Sequence, residues 1–249
     1  MSNLKAVFWD VDGTLADTEL SGHRIAFNHA FEVFNLNWYW GTSEYVELLK
    51  IQGGFNRIKH YANLQRIDIK DNKIQEIHFK KQEFYEDLIS SGKISLRIGV
   101  KRLVTELYNS NIIQCIVTTS SRKAVQSLIN YNFSTLNPFQ HIITYEDVSN
   151  HKPNPEAYEL ALRKSGLDSI NCIAIEDSLA GLNSSFRASL PCLLTLPDWN
   201  SFNVSSMSKA KAVVNNLGEI DCPCEVFYGL HCKQPMITLK YLENLLKPG

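Results

Sequence analysis

At 249 residues the chain has room for one large domain, or for a core carrying a smaller insert, and it is long enough to bury a sizeable apolar interior. Its 25 basic and 26 acidic residues leave a formal charge of −1, with no basic stripe and no run of like charge. Nucleic acid and anionic membrane are therefore poor partners, and a small molecule is the expected one. The first apolar run is too short, and too soon interrupted by charge, to be a signal peptide. No apolar stretch is long enough to span a bilayer, so a cytoplasmic protein is expected.

In chain order the first element is a strand, Ala6, Val7, Phe8 and Trp9, which ends directly in Asp10, Val11, Asp12, Gly13 and Thr14. Alternation along a strand puts Asp10 and Asp12 on the same side, where two carboxylates repel unless a metal ion or a shared proton intervenes. Taken alone, the tetrapeptide also reads as a solvated Asp-Gly turn. From residue 18 to 92 the apolar positions switch to helical spacing, as in Ile25, Phe27, Ala30, Phe31 and Phe34, and predict an all-helical block. Beyond it the pattern alternates: helix 99–110, strand 112–117, helix 121–131, a strand near 142–143, helix 155–165, strand 172–175, helix 179–188, strand 192–196 and a last strand near 212–214. Such alternation predicts an α/β fold, a doubly wound parallel sheet with helices on both faces. The sheet core is assigned to residues 1–17 and 93–249, with the helical block of 18–92 inserted. The last segment, 221–249, is expected to pack back on the core through a short amphipathic helix bearing Ile237, Leu239, Tyr241, Leu242, Leu245 and Leu246.

Of the six cysteines, Cys115, Cys172 and Cys192 lie in apolar runs and read as small core side chains in a reducing compartment. Cys222, Cys224 and Cys232, with His231 beside the last, lack the two-to-four-residue spacing of a zinc knuckle.

In an open parallel sheet the ligand crevice lies beyond the carboxyl ends of the strands. Four such ends carry reactive residues: Asp10 and Asp12, the run Thr118, Thr119 and Ser120, the loop leading to Lys152, and Glu176 with Asp177. Taken singly, each has a plainer reading. Lys152 would be a solvated loop lysine, although Pro153 and Pro155 stiffen its loop. Glu176 and Asp177 would be helix N-terminal charge before a Ser178 cap and a buried stripe of Leu179, Leu182 and Phe186. Taken together, ionised acids at close range demand positive charge, and hard oxygen donors with room for water suit Mg²⁺ sharing its shell with a substrate phosphate. Lys152 adds a cation and Thr118 a hydroxyl. The set describes a phosphoryl site in which Asp10 attacks and Asp12 serves as acid and base.

These residues resemble, across essentially the whole chain, the haloacid dehalogenase-type phosphatases. Asp10 to Thr14 is similar to their nucleophile motif, Thr118 to the second motif, Lys152 to the third, and Glu176 with Asp177 to the fourth. The resemblance implies a helical cap at 18–92, a phosphatase working through an aspartyl phosphate, and Mg²⁺ on Asp10, Asp12 and Asp177, with Glu176 nearby. More narrowly, the run from Trp38 to Arg57 resembles the CbbY-like branch, close to the beta-phosphoglucomutase-like enzymes, whose substrate is similar to xylulose 1,5-bisphosphate. It implies Glu19, Tyr45, Gly53, Gly54, Arg57, His78 and Lys81 as substrate contacts, to which Ser120 is added from the strand-end run, with a small phosphorylated sugar as partner; a monomer or weak dimer is expected. His23, Tyr45 and the tryptophans also fit a packing role. Phe55, Asn56 and Phe79 depart from the branch by removing expected charged residues, for which Arg122 is the candidate substitute. Two other readings compete: a phosphomutase of the beta-phosphoglucomutase type, and a non-catalytic regulator that is phosphorylated on Asp or binds a sugar phosphate.

Overall fold

The structure, a computed structural model, describes residues 4–51, 53–197 and 207–247. The chain divides into two compact units, Met1–Asp17 with Ser95–Gly249, and Thr18–Ile94.

The first unit is built on a seven-stranded sheet. Its strands are β1 (Ala6–Trp9), β2 (Ile113–Val117), β3 (His141–Ile143), β4 (Cys172–Glu176), β5 (Cys192–Thr195), β6 (Ala212–Val214) and β7 (Val226–Gly229), in the order β3-β2-β1-β4-β5-β6-β7. Every pairing is parallel except that of β6 with β7. Buried on both faces, β1, β4 and β5 are continuous apolar runs, as a parallel sheet covered by helices requires. The helices of this unit are α5 (Val100–Asn109), α6 (Arg122–Asn132), α7 (Glu156–Ser165), α8 (Leu179–Arg187) and α9 (Leu239–Leu245).

Side-chain alternation divides the sheet into two faces. Ala6 and Phe8 pack with Cys115, Val117, Ala174, Leu194, and Tyr158 and Ala161 of α7. On the opposite face the Trp9 indole donates to Gln114 Oε1 at 3.1 Å, and the Gln114 amide donates to the Val104 carbonyl of α5 at 3.0 Å. Helices thus cover both faces. Chain order reverses about β1, whose neighbours are β2 on one side and β4 on the other, and this is the switch point at which open α/β sheets bind ligands.

The second unit is all-helical among its described residues. A π turn, Glu19–His23, runs into α1 (Arg24–Val33), and α2 (Thr42–Leu48), α3 (Gly54–Leu64) and α4 (Asp71–Ser90) follow. Its core is aromatic: Phe27, Phe31, Trp38, Trp40, Tyr45 and Tyr61 pack with Leu48, Ile58, Ile74 and Ile77. The rings of Phe31 and Trp40 meet edge to face with centroids 4.8 Å apart, the favoured geometry for aromatic pairs. Trp38, Trp40 and Tyr45 are buried, as their packing reading requires.

Two expectations are corrected. The sheet does not end at 212–214, because the chain turns back and adds β7 antiparallel to β6, with a register shift at Val213 and Val214. As an edge strand with Phe227 and Tyr228 exposed, β7 lacks the apolar run that marks the inner strands. Phe186 does not join the buried stripe of α8: it is 51% exposed under the Lys209 ammonium, and the buried positions are Gly181, Leu182, Ser184 and Ser185. No helix among the described residues is long and apolar enough to cross a membrane.

Gln114 is the buried polar link of the first unit. Gln114→Leu removes the acceptor of the Trp9 indole, and a buried donor left unsatisfied costs about 1–3 kcal/mol. The urea midpoint should fall accordingly with an unchanged slope, and an unchanged midpoint would contradict the role of this bond.

Candidate active site

The end of β1 is held in place before any chemistry is considered. Asp10 N–H donates to Ile175 O at 3.0 Å, and the Val11 carbonyl accepts from the amides of Thr14, Leu15 and Ala16, closing a tight turn. Gly13 sits in that turn at φ +79°, and a Cβ there would lie 2.1 Å from Asp177 Oδ2. Only glycine meets both conditions. The Gly13 carbonyl accepts from Arg97, whose guanidinium also donates to Thr195 O at 3.0 Å, Thr195 Oγ1 at 3.1 Å, Leu196 O at 3.0 Å and Asn215 O at 2.6 Å. Arg97 thereby ties the Asp10–Thr14 turn to the ends of β5 and β6.

Lys152 arrives from the other side of the sheet. Its loop is fixed by Glu156, which accepts from Ser149 N at 2.9 Å and Asn150 N at 2.8 Å, and by Asn154, whose carbonyl accepts from Ser184 Oγ at 2.6 Å. The ammonium, on a side chain 5% exposed, donates to Asp10 Oδ1 at 2.7 Å, Glu176 Oε1 at 2.6 Å and Val117 O at 2.8 Å. Tyr158 donates its hydroxyl to the same Glu176 oxygen at 2.6 Å. Thr118 N–H donates to Ile143 O at 3.0 Å, while its Oγ1 accepts from Ser120 N at 3.1 Å. The Ser120 hydroxyl donates to Asp12 Oδ2. At α8 the Ser178 hydroxyl accepts from Gly181 N at 3.1 Å, the N-cap expected of it. Gly181 is itself required, since a Cβ there would meet Glu176 Oε2 at 1.8 Å.

Charge in this cluster does not balance. Burial, and then Glu176 and Asp12, push the Asp10 carboxyl up to about 7 against the opposing pull of Lys152. Burial alone would lower Lys152, but Asp10 and Glu176 outweigh it and hold the ammonium above its ordinary range. Asp10, Glu176 and Asp177 each bring an oxygen within 4.8 Å of the others, and they are the group of potential metal ligands found among the described residues. Glu176 Oε2 is buried without a partner. One lysine facing three hard oxygen donors, one with an orphaned atom, fits a site for a divalent cation. Asp12 lies outside that group of carboxylates; its own carboxylate is half-buried against Ser120.

Most of the other predicted contacts lie in the helical unit and form two clusters. Tyr45 donates its hydroxyl to Glu19 Oε2 at 2.7 Å and lies 3.3 Å from Arg57 Nη1, while Arg57 Nε donates to Ile51 O at 2.9 Å. Lys81, 4% exposed, lies 2.7 Å from His23 Nδ1 and close over the Phe27 and Tyr85 rings. Gly53 opens α3 at φ +83°, and Gly54 accommodates His78, whose Nε2 would be 2.6 Å from a Cβ at that position. Arg122 does not stand free to replace a missing cation: its guanidinium pairs with Asp147 and its amide donates to Glu146 Oε1 at 3.1 Å. Phe79 is 67% exposed, presenting an apolar ring at the surface.

Sequence reading passed over Arg97 and Tyr158. The signal for Tyr158 is a hydroxyl in the buried stripe of α7, which needs a partner. For Arg97 it is a lone cation between Leu96 and Ile98. His23, which also fits a packing role by sequence, stacks its ring on Tyr85 with centroids 3.8 Å apart and partners Lys81 as well.

Residues 7–195 match the family described as Haloacid dehalogenase-like hydrolase. The chain belongs to this family. It is an enzyme of the phosphatase type within these hydrolases. It is 40% identical over 195 residues to the protein CbbY of Rhodobacter capsulatus, an alignment covering 77% of this chain and 85% of that protein. With CbbY of Cereibacter sphaeroides the identity is 36% over 194 residues, covering 77% and 84%. Among solved structures, a mutant CbbY from Rhodobacter sphaeroides in complex with xylulose-1,5-bisphosphate superimposes with a TM-score of 0.73 at 32% identity, over 86% of this hydrolase and 94% of that chain.

Burial, and then Lys81, His23 and Arg57 beside it, push the His78 imidazole of the hydrolase down from 6.5 to about 4. Between those values the unfolded chain binds a proton that the folded one refuses. The contribution of His78 to stability is therefore complete above about pH 6.5 and is lost as pH falls toward 4. An NMR titration should place the His78 midpoint near 4; a midpoint at the ordinary value would contradict the cluster.

Proposed function

We propose that this hydrolase is a Mg²⁺-dependent sugar phosphatase acting through an aspartyl phosphate on Asp10, and that its substrate is a pentulose bisphosphate such as xylulose 1,5-bisphosphate. The observation that carries the reading is the buried Asp10, gripped by Lys152 beside Glu176 and Asp177 and followed two residues later by a second carboxylate. The CbbY structure holding xylulose-1,5-bisphosphate supports the substrate class.

Asp10, Asp177 and the main chain at Asp12, with Glu176 alongside, would hold Mg²⁺, which supplies positive charge to offset a phosphate dianion. The remaining steps fall to side chains of this chain. Lys152 orients Asp10 by holding Oδ1, and its charge lowers the repulsion that keeps a carboxylate from a phosphate. Asp10 attacks phosphorus, and the bond from phosphorus to the sugar oxygen breaks. Asp12, oriented by Ser120, gives that oxygen its proton. Asp12 then takes a proton from water, which attacks the phosphorus of the aspartyl phosphate and releases phosphate and the Asp10 carboxylate. Thr118 Oγ1 accepts from Ser120 N, which leaves its own hydroxyl proton available to a phosphoryl oxygen. Tyr158 and Glu176 keep Lys152 in position.

In the helical unit Arg57, oriented by Ile51 O and the Tyr45 hydroxyl, is proposed to take a second phosphate, with Lys81 as a further cation and neutral His78 as a hydrogen-bonding group. Three core thiols suit a reducing, cytoplasmic setting.

A phosphate-release screen over pentose and hexose mono- and bisphosphates tests the reading directly, with a bisphosphate expected to be turned over best. Asp10→Asn should lower kcat by about 10⁴-fold or more while leaving Tm close to wild type. Release at wild-type rates from that variant would remove Asp10 as nucleophile. Arg57→Ala should raise KM for a bisphosphate by about 10-fold or more, the worth of a charge-assisted bond, and leave a monophosphate nearly unaffected. Equal effects on both substrates would remove the second-phosphate role.

A further inference from the structure

The C-terminal part of the sheet unit carries chemistry that the phosphoryl site does not use. Cys224 precedes β7 by two residues and Cys232 follows it by three. Cys224 N–H donates to Pro235 O at 2.7 Å, and Cys232 Sγ lies 3.4 Å from Met236 O. The segment leaving β7 therefore runs alongside the segment entering it, and Cys224 and Cys232 both border the adjacent residues Pro235 and Met236. Both are half-buried, within reach of a small reagent, whereas Cys115, Cys172 and Cys192 are buried. Among the described residues no cysteine belongs to a group of three potential metal ligands. Cys222 sits in its own turn, its amide and carbonyl exchanging bonds with Glu219.

We infer that Cys224 and Cys232 form a reversible dithiol–disulfide couple that clasps the edge strand of the sheet. The oxidant is a low-molecular-weight disulfide. One protein thiolate attacks a reagent sulfur, the reagent S–S bond breaks, and one thiol leaves. The second protein cysteine then loses its proton and attacks the protein-bound sulfur of the mixed disulfide, releasing the second thiol. Two protein thiols are oxidised, and one reagent disulfide is reduced to two thiols. Burial, and then Cys232, push the Cys224 thiol up to about 11, so the exchange accelerates as pH rises from neutral. The closed loop spans residues 224–232 and contains all of β7, and restricting a loop of that size in the unfolded chain should raise Tm by about 5 °C.

The test equilibrates wild type, Cys222→Ser and Cys224→Ser under native conditions with oxidised or reduced glutathione, alkylates the remaining thiols, and digests with trypsin and a glutamate-specific protease. Cleavage after Glu225 separates Cys224 from Cys232. Oxidised Cys222→Ser should lose two free thiols and 2 Da, yield a peptide ending at Glu225 cross-linked to one containing Cys232, and melt about 5 °C above its reduced form. Cys224→Ser should show neither the cross-link nor the shift. If Cys222→Ser fails to fold, fragmentation of the wild-type cross-linked peptide gives the same assignment. Retention of all thiols, glutathione adducts without a cross-link, or pairing of Cys232 with Cys222 in wild type would overturn the inference.

Discussion

Everything in the site is arranged around one buried ammonium. Lys152 sits between the carboxylates of Asp10 and Glu176 and the Val117 carbonyl, and each of these acceptors is supplied by the carboxyl end of a different strand or the residue just beyond it. A buried charge is tolerable only when it is paired and its remaining bonds are satisfied. Here that condition locks three neighbouring strands, β2, β1 and β4, to one side chain. The lysine satisfies only part of the negative charge gathered there, and the shortfall makes the place attractive to a further cation and then to a phosphate. An isolated acidic cluster would be solvated or protonated. A cluster already holding one fixed cation is a partly neutralised cradle.

Glycine at two positions lets the acids crowd so closely. Without a side chain at Gly13 the turn after β1 can press against Asp177, and without one at Gly181 the first turn of α8 can lie against Glu176. The carboxylates occupy the space that a Cβ would otherwise fill. The same device recurs in the helical unit, where Gly54 gives its place to the His78 ring. In each case the missing methyl group does a packing job for a polar neighbour, which is why these glycines stand beside functional candidates rather than in the open loops.

Much of this organisation was legible in the chain itself. Continuous apolar runs in β1, β4 and β5 revealed buried parallel strands, and the acids that terminate two of them announced the crevice, because an inner strand has no structural use for paired carboxylates. The N-cap of α8 at Ser178 was readable for the same local reason. What escaped was decided at long range. Phe186 fits a helical stripe by spacing, yet it lies on the side that Lys209 covers. Arg122 looks like a spare cation until Asp147, 25 residues on, claims it. Tyr158 and Arg97 are unremarkable in one dimension, since their partners lie 18 and more residues away. The strand β7, with most of its side chains exposed, carries no periodic signal at all.

The backward turn that adds β7 has a bearing on the opposite end of the chain. Asn215 takes an amide bond from Glu225 through its side chain and gives one back through its own N–H, while its carbonyl holds a nitrogen of Arg97. Arg97 in turn grips the carbonyl at Gly13. The tail is thus a buttress: trimming the protein behind its last parallel strand would slacken the mount of the residue that begins the chemistry, some two hundred positions upstream.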